Sequence, residues 1–281
     1  MSFRVKSASS ANKAANTKTK NTNGFWVNLG IVALCIVVGQ LIYHFVLGDV
    51  NNFTDGAARH TPKPGNWKGN MYLGGFIVPL LMAGFMVMLA FVIERAIAIL
   101  KAKGSTNGGE LVRKVQYHLA NRNVDSAIAE CDKQKGSVGN VMRAGLLKYK
   151  EMANNTQLST DEKLLSIQKE VEEASALEVP MLEKNLVFLS TLASAATLLG
   201  LIGTVIGMIK SFSAMSSAGA PDATALAAGI SEALYNTALG ITTSFFAIIF
   251  YNFYTTIIDG INYNIDESGF TLTQSFAINH K

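Results

Sequence analysis

The sequence predicts an all-α integral membrane protein with four transmembrane helices. Three observations carry that prediction. The 281 residues are 49% apolar and only 16% charged, where a soluble domain carries about 25% charge. The apolar residues are gathered into four long runs. Each run reaches the roughly 20 residues that a ~30 Å hydrocarbon core requires at ~1.5 Å per residue. The third observation is what the chain lacks. Lys+Arg 24 against Asp+Glu 20 leaves no concentrated basic excess for nucleic acid. The two cysteines, Cys35 and Cys131, are too few for a disulfide framework or a multi-Cys metal site.

Residues 1–24 hold Arg4, Lys6, Lys13, Lys18 and Lys20 and no acid. They read as a disordered basic tail that either rests on anionic lipid or simply orients the first helix. The run 25–47 has no formal charge and is too long for a signal-peptide core, so it is expected to stay as a signal-anchor helix. A loop, 48–70, precedes the second span, 71–94, which is uncharged until Glu94 and Arg95. Its composition, with Pro62, Pro64, Gly65 and Trp67, would suit contact with a periplasmic partner.

Segment 95–185 is expected to be a helical domain. Leu111, Val115 and Leu119 recur at four-residue steps, and Val138, Val141, Met142, Gly145 and Leu146 form a second stripe. After Asn154 and Asn155, Ser159 and Glu162 have the spacing of a capping box. From Leu164 through Ile167, Val171, Ala174, Leu177 and Met181 an apolar face continues, with Pro180 expected to interrupt the helix. No nucleophile, base and oxyanion stabiliser come together there, so an enzyme is not expected. The four histidines (His44, His60, His118 and His280) are scattered, and neither a catalytic residue nor a metal ligand nor a cofactor is predicted. The third span is 186–210, followed by a short loop at 211–222, the fourth span at 223–258 and a tail at 259–281. The lysines and arginines of 1–24 and 95–185 place these segments, with the tail, on the cytoplasmic side.

The last two spans are unusual for helices in lipid. Gly200, Gly203 and Gly207 lie within two turns, a small-residue seam that permits close helix approach. At 100° per residue Ser190, Ser194, Thr197 and Thr204 share one arc. These hydroxyls either bond back to their own helix or line a polar path. In the fourth span Glu232, Asn236, Thr237, Gly240, Thr243 and Ser244 share a sector of roughly 140°. Glu232 is the lone acid of that run. It is either functional or a carboxylate at the membrane interface. Two helices cannot enclose a polar path, so several copies, or a partner helix, must complete it. A solute carrier is disfavoured by the lack of an inverted repeat or broken helix pair.

Leu199 to Phe212 (LGLIGTVIGMIKSF), Ile230 to Gly240 (ISEALYNTALG) and Ile248 to Asn252 (IIFYN) resemble the ExbB/TolQ/MotA proton-channel family, nearest its ExbB and TolQ branch. The likeness extends over roughly Met71 to Tyr254. It implies a homopentamer in the inner membrane of a Gram-negative bacterium, around two copies of a single-span ExbD/TolR-like partner with an essential Asp. It further implies that proton-motive force is converted into mechanical work for a TonB-like periplasmic energy transducer serving outer-membrane transport. Thr204 and Thr237 match the family's pore-facing threonines and Glu232 its motif acid. The expected pathway set is then Thr204, Thr237, Glu232, Asn236, Thr197 and Ser194, with Gly200, Gly203, Gly207 and Gly240 packing the helices.

The sequence departs from that family in its extra span at 25–47. Thr197 and Phe246 also stand where relatives often have proline, which predicts straighter third and fourth helices. Alternatives are a Tol-type subunit, a gliding or secretion motor, or a scaffold that seats a partner helix without conducting.

Overall fold

The computed structural model describes residues 26–58, 61–217 and 223–280. The basic tail and residues 218–222 of the short loop lie outside them. Among the described residues the regular structure is helical, with one isolated bridge between Phe53 and Pro62. We label the helices α1 (Trp26–Leu47), α2 (Trp67–Tyr72), α3 (Ile77–Lys103), α4 (Gly108–Ala120), α5 (Val124–Gln134), α6 (Ser137–Ala153), α7 (Thr160–Glu183), α8 (Leu186–Ser217) and α9 (Ala223–Asn279). Four described helices are long and apolar enough to cross a membrane: α1, and stretches within α3, α8 and α9. The chain divides into two compact units, Met1–Ala90 with Thr191–Ala247, and Phe91–Ser190 with Ile248–Lys281.

In the first unit, α1 meets α3 where Gly39 lies against the backbone. A Cβ there would sit 2.9 Å from the Pro79 carbonyl oxygen. Tyr43, Leu47 and Val78 form a small core with Met71, Tyr72, Met82 and Leu239 packed on it. The last turn of α1 is a π-helix, Ile42–Leu47. A helix end leaves carbonyls without intrahelical partners. The Asn52 amide answers two of them, donating to Val46 O at 2.8 Å and Leu47 O at 3.0 Å. Asn66 Nδ2 in turn donates to Asn52 Oδ1 at 3.0 Å, and the Asn66 side chain caps α2. The described residues of segment 48–70 thus form an organised cap. The span expected at 71–94 is helical from Ile77, because Gly75 takes φ +74° in the turn between α2 and α3. That conformation favours glycine.

The second unit is a helical domain in which the two predicted stripes are buried. Leu111, Val115 and Leu119 are inside, as are Val138, Val141, Met142, Gly145 and Leu146. The Gln134 side chain ties the α3–α4 connection to the start of α6. Its amide donates to Lys103 O and Thr106 O, and its oxygen accepts from Gly136 N and Gly139 N. The capping box forms as expected, with Ser159 N donating to Glu162 Oε2 at 2.8 Å. Of the α7 stripe, Ile167 and Val171 are buried while Leu177 and Met181 are exposed. Pro180 does not stop α7, which runs on to Glu183. Arg95 is buried and caps that end, donating to Leu182 O at 3.0 Å while Glu94 grips its guanidinium through both carboxylate oxygens.

The stretch 259–281, expected to be a tail, is a continuation of α9 as far as Asn279. Ile261, Ile265, Leu272 and Phe276 are buried, so this segment is part of the core of the second unit.

Candidate functional site

Within the first unit α8 and α9 pack backbone against backbone. A Cβ on Gly200 would stand 3.0 Å from Asn236 O and 3.2 Å from Gly240 Cα, and one on Gly240 would reach Ala196 O at 2.5 Å. Gly203 faces the Asn236 side chain, and Gly207 faces Gly229 and Ala233. All four of these glycines lie at close approaches between α8 and α9. Lipid offers no hydrophobic drive for helices to associate, so this close approach and its dispersion contacts hold the pair. Neither helix is interrupted at Thr197 or Phe246.

The polar residues divide into two groups. Asn236, Thr243 and Ser244 are buried. The Asn236 amide donates to Gly74 O at 3.0 Å, Thr243 Oγ1 to Leu239 O at 2.9 Å, and the Ser244 hydroxyl to Ala193 O. Asn236 thus ties α9 to the α2–α3 turn, Ser244 ties α9 to α8, and Thr243 bonds within α9. Ser194 and Thr197 are exposed, and Thr204 and Thr237 are half-buried. Ser194 Oγ donates to Thr191 O at 3.1 Å and Thr204 Oγ1 to Leu201 O at 2.6 Å, each within its own helix. Thr237 Oγ1 crosses to Gly200 O on α8 at a loose 3.5 Å.

The hydroxyls of Ser194 and Thr204 thus bond back to their own helix, as the first reading of the arc expects. The protons of Ser194 and Thr204 are committed to helix carbonyls, which leaves oxygen lone pairs on the open face. In that state they accept hydrogen bonds, as from a protonated carboxylic acid. Rotation of the side chain away from its carbonyl would turn each into a donor for a carboxylate. Thr237, held loosely, reaches that second state at least cost.

Glu232 is paired. Lys210 Nζ lies 2.5 Å from Glu232 Oε1, and the carboxylate side chain is 12% exposed while the lysine is 50% exposed. Gly75 lies under this pair, its missing Cβ position 2.6 Å from the same carboxylate oxygen. Lys210 and Gly75 were not among the candidates read from the sequence. The available signal was that Lys210 is the sole charge between 186 and 221 and Glu232 the sole charge between 223 and 258. Two isolated opposite charges in consecutive spans are expected to seek each other.

Residues 134–267 match the MotA/TolQ/ExbB proton channel family. The biopolymer transport protein ExbB-like 3 of Synechocystis is 35% identical over 89 residues, 31% of this chain and 42% of that protein. The Tol-Pal system protein TolQ of Pseudomonas aeruginosa is 30% identical over 115 residues, 41% of this chain and 50% of that protein. The biopolymer transport protein ExbB of Helicobacter pylori is 41% identical over 71 residues, 25% of this chain and 49% of that protein. The chain spans half or less of the length of each of these relatives.

Proposed function

We propose, for a chain that belongs to the MotA/TolQ/ExbB proton channel family through residues 134–267, that it is the multi-span subunit of a proton-driven motor. Several copies, five by family analogy, surround the single helix of an ExbD/TolR-like partner that carries an acidic residue. The observation that supports this most directly is the open hydroxyl face of α8. Ser194 and Thr197 are exposed on a helix whose glycine seam is already used against α9. An uncovered polar stripe in hydrocarbon is unfavourable, so a polar partner or another copy belongs there.

The mechanism follows from the chemistry of these hydroxyls. A partner carboxylic acid is tolerated in the low-dielectric path when protonated, and Thr204 and Ser194 then accept its proton in a hydrogen bond. When the acid ionises, it needs donors, which Thr237 and a rotated Thr204 supply. One charge crossing 100 mV is worth about 2.3 kcal/mol, enough for each proton to bias one step of the partner against the ring. The basic residues of 1–24 and the charged 95–185 segment favour a cytoplasmic placement of both. The work would leave through the partner's outer domain to a TonB-like transducer. A Tol-type role is the second reading, favoured by the 30% identity to a TolQ protein.

The test is proton flux in vesicles holding this chain with an Asp-bearing single-span partner. Thr204→Val and Thr237→Val should leave assembly intact. Each should slow flux about tenfold, the equivalent of ~1.4 kcal/mol, near the worth of one hydrogen bond. Full flux in both variants would remove the hydroxyls from the path. Normal assembly without flux in the unaltered chain would favour a non-conducting scaffold.

A further inference from the structure

The Lys210–Glu232 pair has the geometry of a clamp, and three details distinguish it from an open proton acceptor. The carboxylate is already engaged by an ammonium at 2.5 Å. Its engaged oxygen lies over Gly75, where a side chain would collide, so on that side it faces backbone and not a path. The neighbouring contacts of the same corner are structural too. Asn236, one turn on in α9, holds Gly74 O at 3.0 Å, and Ser211, next to Lys210, is buried with its hydroxyl on Gly207 O at 3.0 Å. Three elements therefore meet at one ion pair: α8 through Lys210, α9 through Glu232, and the Gly74–Gly75 turn that starts α3.

We propose that Lys210 is a positioning residue, and that Glu232 serves as its counter-ion in fixing α8, α9 and the α2–α3 turn and does not carry the transported proton. The proposal rests on the channel reading above and deepens it by assigning proton loading wholly to the partner's acid. An isolated charge in a span is costly, so each member of the pair requires the other. What is needed at these two positions is then matched charge and not a titrating carboxylate. Lys210 is half-exposed and is held in place by Glu232, which is the more buried of the two.

The experiment is a double-variant cycle on the full chain co-expressed with an Asp-bearing single-span partner. The variants are Lys210→Met, Glu232→Gln, the two together, and the exchange Lys210→Glu with Glu232→Lys. Melting temperature in mild detergent, the native mass spectrum of the complex and proton flux are read for each. Each single change should lower the melting temperature and reduce flux about tenfold or more, because it strands one charge. The neutral double and the exchange should recover most of both. If the doubles assemble as the unaltered chain does but conduct no better than Glu232→Gln, Glu232 carries the proton and the proposal fails. It fails equally if the single changes have no effect, or if neither double recovers assembly. Absence of flux in the unaltered chain would overturn the channel reading alone, since coupling in the melting temperatures is read without transport.

Discussion

Asn236, which periodicity puts in a polar sector, is used in packing. Its sector position is as predicted, yet the side chain is buried, donates to Gly74 O at 3.0 Å and has an Oδ1 with no hydrogen-bond partner. Asn236→Ala removes that donor and leaves a gap facing Gly203, and should lower stability by about 1–2 kcal/mol. Thermal unfolding in detergent would measure it, and a change within error would mean that the Gly74 contact is dispensable. Cys131 offers a second residue-scale test. Burial pushes its thiol up to about 12, so the reactive thiolate is scarce at neutral pH. A maleimide should label Cys131 only when the second unit unfolds. Rapid labelling of the native chain would contradict its buried position. The sequence disclosed the type and spacing of such residues but not their partners. Glu232 was legible as a lone acid, whereas Lys210 as its counter-charge requires knowing how far the two spans overlap. That register is set by the glycine seam and not by any local pattern.

At the scale of elements, the local signals were the most legible. The stripes of α4 and α6 and the capping box of α7 could be read directly, because each depends on residues within a turn or two. The Gly74–Gly75 break was hidden inside an uncharged apolar run, since hydropathy is blind to φ. The continuation of α9 was hidden for another reason: its stripe (Ile261, Ile265, Leu272 and Phe276) alternates with polar residues, and it follows an apolar run that ends at Ile258, before Asp259. The seam itself gives a sharp prediction. Gly240→Val places branched carbon against Ala196 O and Gly200, both backbone, which cannot yield as a side-chain end can. Separation of α8 from α9 by at least 2 kcal/mol is expected, seen as loss of a disulfide cross-link between cysteines introduced on the facing helices. Retained cross-linking would mean that the seam is not the main contact. The α7 capping box carries a pH dependence. Backbone and side-chain hydrogen bonds from Ser159 hold the Glu162 carboxyl below its usual range. Its contribution is therefore present above the unfolded pKa, about 4.3, and is lost as pH falls through the lower folded value. The advantage in melting temperature over Glu162→Ala should vanish in that window, and an advantage that persisted below it would remove the carboxylate from the cap.

Across the whole molecule, the second unit assembles its core from residues far apart in the chain. Leu272 and Phe276 are fully buried, and Phe276 packs edge-on to Tyr149 at 4.9 Å. Gly145 makes room for Leu272, since a Cβ there would meet Leu272 Cδ1 at 2.5 Å. Polar contacts fix the register, Gln116 Nε2 donating to Thr271 Oγ1 at 3.0 Å and Asn279 Nδ2 to Leu119 O at 3.1 Å. Segment 95–185 thus lacks part of its own core and depends on the far end of α9. Leu272→Ala and Phe276→Ala should each cost about 3 kcal/mol or more through the cavity that they leave. Deleting 260–281 removes both side chains together with Ile261 and Ile265. The summed loss would approach or exceed the roughly 5–15 kcal/mol of a typical domain. The deletion should expose Cys131 to maleimide and make α4–α7 sensitive to protease, while the spans still insert. The single changes distinguish this from a general failure of biogenesis, because they should raise Cys131 labelling in proportion to lost stability in a chain that still reaches the membrane. If Cys131 stays protected after the deletion, α4–α7 fold without the end of α9, and the burial of Leu272 and Phe276 serves that helix alone.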